Sequence, residues 1–283
     1  AKPAVAEFAC SVGLKPDDVA GFIAASRGNH AGIMDFLRGA SRKGYTGRAL
    51  QLLAALSEKD LRDTPSAVLT DHLYNTDKDA DAATVLAPRV ADEMLTPYRS
   101  FLQREIPTAD AAAFRRDPQR LAAWCRDSLT LRPELCTVST TISPEGVWRS
   151  RTADKPSRAI FFVAAARSLG IPAWIDRVTG NLFYRYAGRD VPVDFDADGN
   201  RELETGRMKL NYVPIPRLDD PEYFRHFTLS RFDGQSFALL NYPDFEPWSA
   251  RFDTPTDLET GYYMLATGSR LADGSVLANV SFL

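Results

Sequence analysis

Histidine is scarce in this chain: there are three, His30, His72 and His226, and none in the long interval between the last two. Their separations fit no metal-ligand spacing. Cysteine is equally sparse. Cys10, Cys125 and Cys136 form no C-x-x-C pair, and an odd number leaves at least one thiol outside any bridge within the chain, so the redox compartment stays open. Positive charge is not in excess either. With Lys+Arg 34 against Asp+Glu 37 and a net charge of −3, there is no surplus to neutralise phosphates, and nucleic acid is not an expected partner. A run apolar enough to span a bilayer is missing, as are the Gly-rich fingerprints of nucleotide sites. The chain opens on Ala1-Lys2-Pro3, without Met or an apolar leader, and stops inside the strand-like run Ala278-Asn279-Val280-Ser281-Phe282-Leu283. It therefore reads as a piece of a longer protein whose other domains are expected partners.

What is present is the composition of a globular protein large enough for several cores, with 45% apolar and 25% charged residues. Apolar residues recur at three- and four-residue spacing over Val19–Ala25, Ile33–Leu37, Ala49–Leu56 and Val68–Leu73, predicting a set of short helices. A polar loop at 75–81 follows, then longer helices over 83–105 and 111–129. Beyond Pro133 the texture changes. Residues 136–142 are rich in Thr and Val, as strands are, and one strong helix covers 157–169, stopped by Gly170 and Pro172. Strand-like alternation then marks 174–178, 182–186, 191–195, 227–232, 237–242, 261–267 and 275–282, with Asp233-Gly234 and Asp273-Gly274 as hairpin turns. The expected class is α+β: a helical region at 1–107, a helix-plus-antiparallel-sheet core at 108–218, and a β-sandwich-like domain at 219–283, cut short at its end.

The stretch Ala164-Ala165-Ala166-Arg167-Ser168-Leu169-Gly170-Ile171-Pro172-Ala173 resembles the transglutaminase-like superfamily, of papain-type fold. In that family a nucleophilic Cys opens a helix ending in such a turn, a His follows on the second strand and an Asp on the third. The chemistry behind that arrangement is sound, because a helix N-terminus favours a thiolate and a neighbouring imidazole completes the ion pair. Carried over by register, the Cys position falls on Lys155, the His position on Asn181 and the Asp position on Asp194, so the resemblance implies a degenerate triad. Ser157 is the nearest alternative nucleophile, with Lys155 as a base in the manner of Ser-Lys pairs. The blander expectation is that Asp154 caps the helix, Pro156 sits in its first turn and Ser157 joins the cap. Further residues, Ser157 to Ala164 with Val178-Thr179-Gly180 and Ala54 to Pro65, resemble an uncharacterised bacterial branch of that superfamily over roughly residues 45 to 283.

Other candidates surround this core. Trp148, Arg149, Arg151, Arg158, Trp174 and Tyr184 are expected to line a ligand groove, since aromatics and Arg are common binding anchors. Asp194, Asp196 and Asp198 with Gly199 spell the opening of a calcium loop, but its twelfth position is Thr205 rather than Glu and its flanks read as strands, so an acidic hairpin turn is the plainer reading of the run. Apart from calcium no cofactor is expected. The functional expectation is a catalytically inactive binding or scaffold module taking a peptide, peptidoglycan fragment or glycan, in an exported protein of the periplasm or cell surface. The alternative is a hydrolase or acyl transferase using Ser157, Cys125 or Cys136.

Overall fold

A computed structural model describes residues 3–135, 140–195 and 203–283. The chain is α+β and divides into two compact units, one of residues 1–175 with 182–200 and one of 176–181 with 201–283. The helical region and the helix-plus-sheet segment thus share one unit. No described helix is long and apolar enough to cross a membrane.

The first unit begins with α1 (Pro3–Ser11), α2 (Pro16–Ser26), α3 (His30–Arg42), α4 (Thr46–Ala54), α5 (Glu58–Asp63) and α6 (Ser66–Tyr74). Gly13 (φ 71°) and Gly44 (φ 73°) end α1 and α3 in the left-handed conformation, and the N–H groups of Leu14 and Tyr45 return to the carbonyls of Ala9 and Ala40 at 2.9 Å. Ser57 caps α5 by accepting from Asp60 N. Ile33, Phe36, Leu37, Leu52, Leu53, Leu69 and Leu73 close one core. The spacings read from the sequence fall on α2, α3, α4 and α6.

The long helix expected over 83–105 does not form. A single π-helical turn at Ala82–Leu86 gives way to irregular backbone, and only α7 (Arg99–Glu105) is helical. Pro88 and Pro97 are the cause. Each lacks an N–H and pushes the preceding residue out of the helical region, and Ala87 stands at φ −57°, ψ 133°. Proline also splits the helix expected over 111–129 into α8 (Thr108–Arg116) and α9 (Gln119–Ser128) at Asp117-Pro118. Residues 140–142, expected in a strand, carry no strand; residues 136–139 lie outside the described residues.

After α9 come β1 (Thr130–Leu131), α10 (Pro144–Ser150) and β2 (Thr152–Ala153), with β1 parallel to β2. They lead to α11 (Lys155–Ser168), the centre of the second core. Eleven of its fourteen residues are buried, including Ile160, Phe161, Phe162 and Val163. A helix apolar on all sides must be enclosed, and each such side chain contributes about 1.5–3 kcal/mol when removed from water. It packs on α7, α9, α10 and an antiparallel meander of β3 (Ala173–Ile175), β4 (Leu182–Tyr186) and β5 (Arg189–Val193).

The second unit pairs β6 (Thr205–Met208) with β9 (Thr256–Glu259), and builds a four-stranded antiparallel sheet from β7 (Phe227–Phe232), β8 (Phe237–Leu239), β10 (Tyr263–Arg270) and β11 (Val276–Phe282) in the order β11-β10-β7-β8. A short α12 (Trp248–Arg251) lies between β8 and β9. Its core holds Tyr223, Phe227, Leu229, Tyr242 and Phe252. The Tyr223 hydroxyl accepts from Leu229 N at 3.0 Å and donates to the Leu240 carbonyl at 2.6 Å.

Candidate functional site

The start of α11 is built as a structural cap. The Asp154 carboxylate accepts from Ser157 N at 2.7 Å, and Pro156 occupies the first turn. Ser157 is fully buried, and its hydroxyl oxygen accepts from Ile142 N at 2.8 Å, fastening the segment before α10 to the helix. Lys155 is exposed. A buried hydroxyl and an exposed amine two positions apart do not form a nucleophile–base pair. Asp194 is half-buried just after β5, in the same unit as Lys155. Asn181 belongs to the second unit, where its amide donates to Glu259 Oε2 at 3.1 Å.

The remaining thiols and imidazoles stand in unrelated surroundings. Cys125 is fully buried, and burial pushes its thiol far up, so no thiolate forms there at neutral pH. Cys10 is exposed on α1, and Cys136 lies outside the described residues. His30 sits at the surface with Nδ1 against the Arg27 carbonyl at 2.9 Å. His72 is sealed in the first unit, and burial with the neighbouring Arg99 charge drives it well below the ordinary imidazole value.

The six groove candidates fall into separate aromatic clusters. Trp148 stacks on Trp124 (5.3 Å, 17°), and the Arg151 guanidinium lies 3.8 Å from the Trp148 ring centre, a close cation–π contact. Arg149 spans Glu145 at 2.8 Å and the Phe101 ring at 4.9 Å. Arg158 is buried over Phe195, whose ring meets Phe162, and Phe162 in turn meets the buried Tyr184. Burial raises the Tyr184 phenol to about 12. Trp174 stacks on Phe183 under Arg185, which pairs with Asp190 at 2.6 Å. Of the calcium candidates, Asp196 and Asp198 lie outside the described residues, and among the described residues no group of three acidic, His or Cys side chains is placed to hold a metal.

The sequence reading missed two features. The first is a buried polar lattice in the first unit. The irregular backbone after Leu86 leaves carbonyls without helix partners, and buried carbonyls must be satisfied. Arg167 supplies three bonds, to Ala87 at 3.0 Å, Arg89 at 2.8 Å and Ala173 at 2.8 Å, while Arg99 donates to the Val85 and Arg167 carbonyls. Burial lowers the Arg99 guanidinium to about 10, which leaves it charged at neutral pH. Asp71 caps α7 from a neighbouring helix, accepting from Arg99 N at 2.8 Å and Ser100 N at 3.1 Å. The only local signal was Arg167 closing the apolar run Ala159–Ala166 of α11.

The second is a cleft in the second unit, a cavity of about 510 Å³ lined by Tyr212, His226, Trp248, Leu265, Leu277 and Asn279 among others. Trp248 Nε1 donates to the Leu210 carbonyl and the Tyr212 hydroxyl to the Leu218 carbonyl, each at 2.7 Å, so the polar tips are satisfied and the rings present apolar surface. The rings meet edge-on at 5.8 Å. His226 Nδ1 accepts from Glu222 N at 2.9 Å, which leaves the proton of the neutral ring on Nε2 as a donor. Polar and aromatic groups around an apolar cavity of this size are what a small ligand or a ligand side chain requires. These residues come from segments far apart in sequence, and no motif joins them. A smaller polar cavity, about 380 Å³, includes Asn181, Arg231, Asp233 and Glu259, with Arg231 Nη1 3.1 Å from Glu259 Oε2.

Compared with protein-family models, curated proteins and solved structures, the chain matches none of the three.

Proposed function

We propose that the chain is a non-catalytic binding module: a transglutaminase-like fold whose Cys and His positions carry Lys155 and Asn181, with the ligand held in the aromatic cleft of the second unit. What supports the core assignment is the order of elements. The capped start of α11 leads through Gly170-Ile171-Pro172 into the antiparallel β3-β4-β5 meander, and Asp194 follows β5. What speaks for binding over catalysis is the use of the helix-start hydroxyl: Ser157 Oγ is a buried acceptor for Ile142 N. The observation that carries the reading is the cleft around Trp248 and Tyr212. Peptides, peptidoglycan fragments and glycans are the ligand classes in view.

The test is a thermal-shift and tryptophan-fluorescence screen of short peptides, muropeptides and oligosaccharides, in parallel on wild type and Trp248→Ala. Saturable binding that the substitution weakens by about tenfold or more is expected, because removing a central aromatic anchor costs about 2 kcal/mol or more. Stoichiometric labelling of Ser157 by a fluorophosphonate probe, abolished in Ser157→Ala, would replace this reading with the hydrolase or acyl transferase one.

A further inference from the structure

The cleft of the second unit draws on two kinds of surface. One is a face of the sheet. Alternate residues of a strand share a face, and register sets Thr267 opposite Asn279 and Ser269 opposite Leu277. Thr267, Ser269 and Asn279, which all line the cleft, thus stand together as two hydroxyls and an amide, with Leu265 and Leu277 beside them. Gly268 N donates to the His226 carbonyl at 2.8 Å, which ties the turn carrying the imidazole to β10. The other surface is aromatic and comes from outside the sheet, with Trp248 on α12 and Tyr212 in the segment after β6. All of these groups concern the face of the sheet, so what pairs with the outer edge of β11 has no bearing on them.

Charge is missing from this lining. Among the described residues around the cavity there is no Asp, Glu, Lys or Arg, in a chain of which 25% is charged. An ionised group entering it would give up water and meet no opposite charge, which is costly. The hydrogen-bonding groups are neutral. The Thr267 and Ser269 hydroxyls and the Asn279 amide each donate and accept, and His226 offers its Nε2 proton. The Trp248 and Tyr212 protons are already committed to the Leu210 and Leu218 carbonyls, so these two residues offer chiefly ring surface.

From this we infer that the cleft takes an uncharged saccharide. A sugar ring carries the complementary pair of surfaces: a C–H face that packs on aromatic rings, and a rim of hydroxyls that donate and accept as the row of Thr267, Ser269 and Asn279 does. Uronic acids, sugar phosphates and the carboxylates of muropeptides find no cation there. A purely apolar side chain would leave the hydroxyls and the amide without partners once water is expelled, which is costly in its turn. The inference rests on the binding-module reading and names its ligand class.

The experiment titrates the full chain by isothermal calorimetry with tetrasaccharides of glucose, mannose, galactose and N-acetylglucosamine, and with tetragalacturonate, at one ionic strength. Saturable binding of at least one neutral sugar is expected, with the uronate weaker by at least about tenfold. Thr267→Val and Asn279→Ala each delete a hydrogen-bonding group from the row, and each is expected to weaken that sugar roughly threefold to tenfold. If circular dichroism shows either variant unfolded, Ser269→Ala takes its place. Absence of saturation by all four neutral sugars, a uronate that binds as tightly, or affinity indifferent to these substitutions overturns the inference. The uncharged apolar dye Nile red separates it from the reading beneath it. Dye binding that Trp248→Ala abolishes, without sugar binding, sinks the saccharide inference alone. Loss of both sinks the cleft reading with it.

Discussion

Arg99 Nε donates to His72 Nδ1 at 3.3 Å, and both side chains are sealed from solvent, at 1% and 0% exposure. A charged donor on that nitrogen holds His72 neutral in the folded state, and burial acts in the same direction.

A pH dependence of stability follows. In the unfolded chain His72 takes up a proton near the ordinary pKa of about 6.5, whereas the folded chain resists protonation until well below it. Between the two values the unfolded state binds the extra proton. The His72 contribution is complete above about pH 6.5 and declines as pH falls, at up to about 1.4 kcal/mol per unit. Melting temperatures from pH 7.5 to 5 are expected to fall in wild type and to fall less steeply in His72→Gln, whatever that variant's stability at pH 7.5. Equal slopes would show that His72 is not held neutral.

Arg167 satisfies three buried carbonyls at once, so its removal should be severe. Arg167→Met is expected to lose about 3 kcal/mol or more, because each orphaned buried acceptor costs about 1–3 kcal/mol. Arg167→Lys recovers less than half of that, since a single ammonium cannot reproduce the planar fork. Urea unfolding midpoints measure both.

Ser157→Ala deletes the acceptor of Ile142 N in a buried site. A loss of about 1–3 kcal/mol is expected, read from urea unfolding. An unchanged midpoint would remove the structural role assigned to this hydroxyl.

Two glycines should respond with opposite signs. Gly44 has φ 73° and open space around a built Cβ, so Gly44→Ala meets only backbone strain, about 1 kcal/mol destabilising. Gly47 lies in α4 with equally open space and ordinary φ, so Gly47→Ala stabilises by about 0.5–1 kcal/mol. Thermal midpoints of the two variants should bracket wild type.

Local pattern made a good part of this molecule legible. The periodic segments became α2, α3, α4, α6 and α11, the alternating ones β4, β7 and β11, and Asp154 caps α11 as its position before Lys155-Pro156 implied. Caps, turns and periodicity act within a few residues, so a linear reading reaches them. Where prolines interrupt an otherwise helical pattern, at Pro88, Pro97 and Pro118, the apolar rhythm outweighed the missing N–H, and the expected helices ran too long. The candidate groove is the harder lesson. Trp148, Arg158 and Trp174 are near in sequence, yet each is claimed by a different aromatic neighbour, because side-chain direction alternates along strands and rotates along helices.

The sequence by itself determined the α+β class and the absence of any imidazole between His72 and His226. Only the tertiary structure decided that Arg99 and Arg167 go inside, that Ser157 serves as an acceptor, and that Tyr212, His226, Trp248 and β11 surround one cleft. Those facts depend on which carbonyls are left unpaired and which surfaces are left uncovered once distant segments meet.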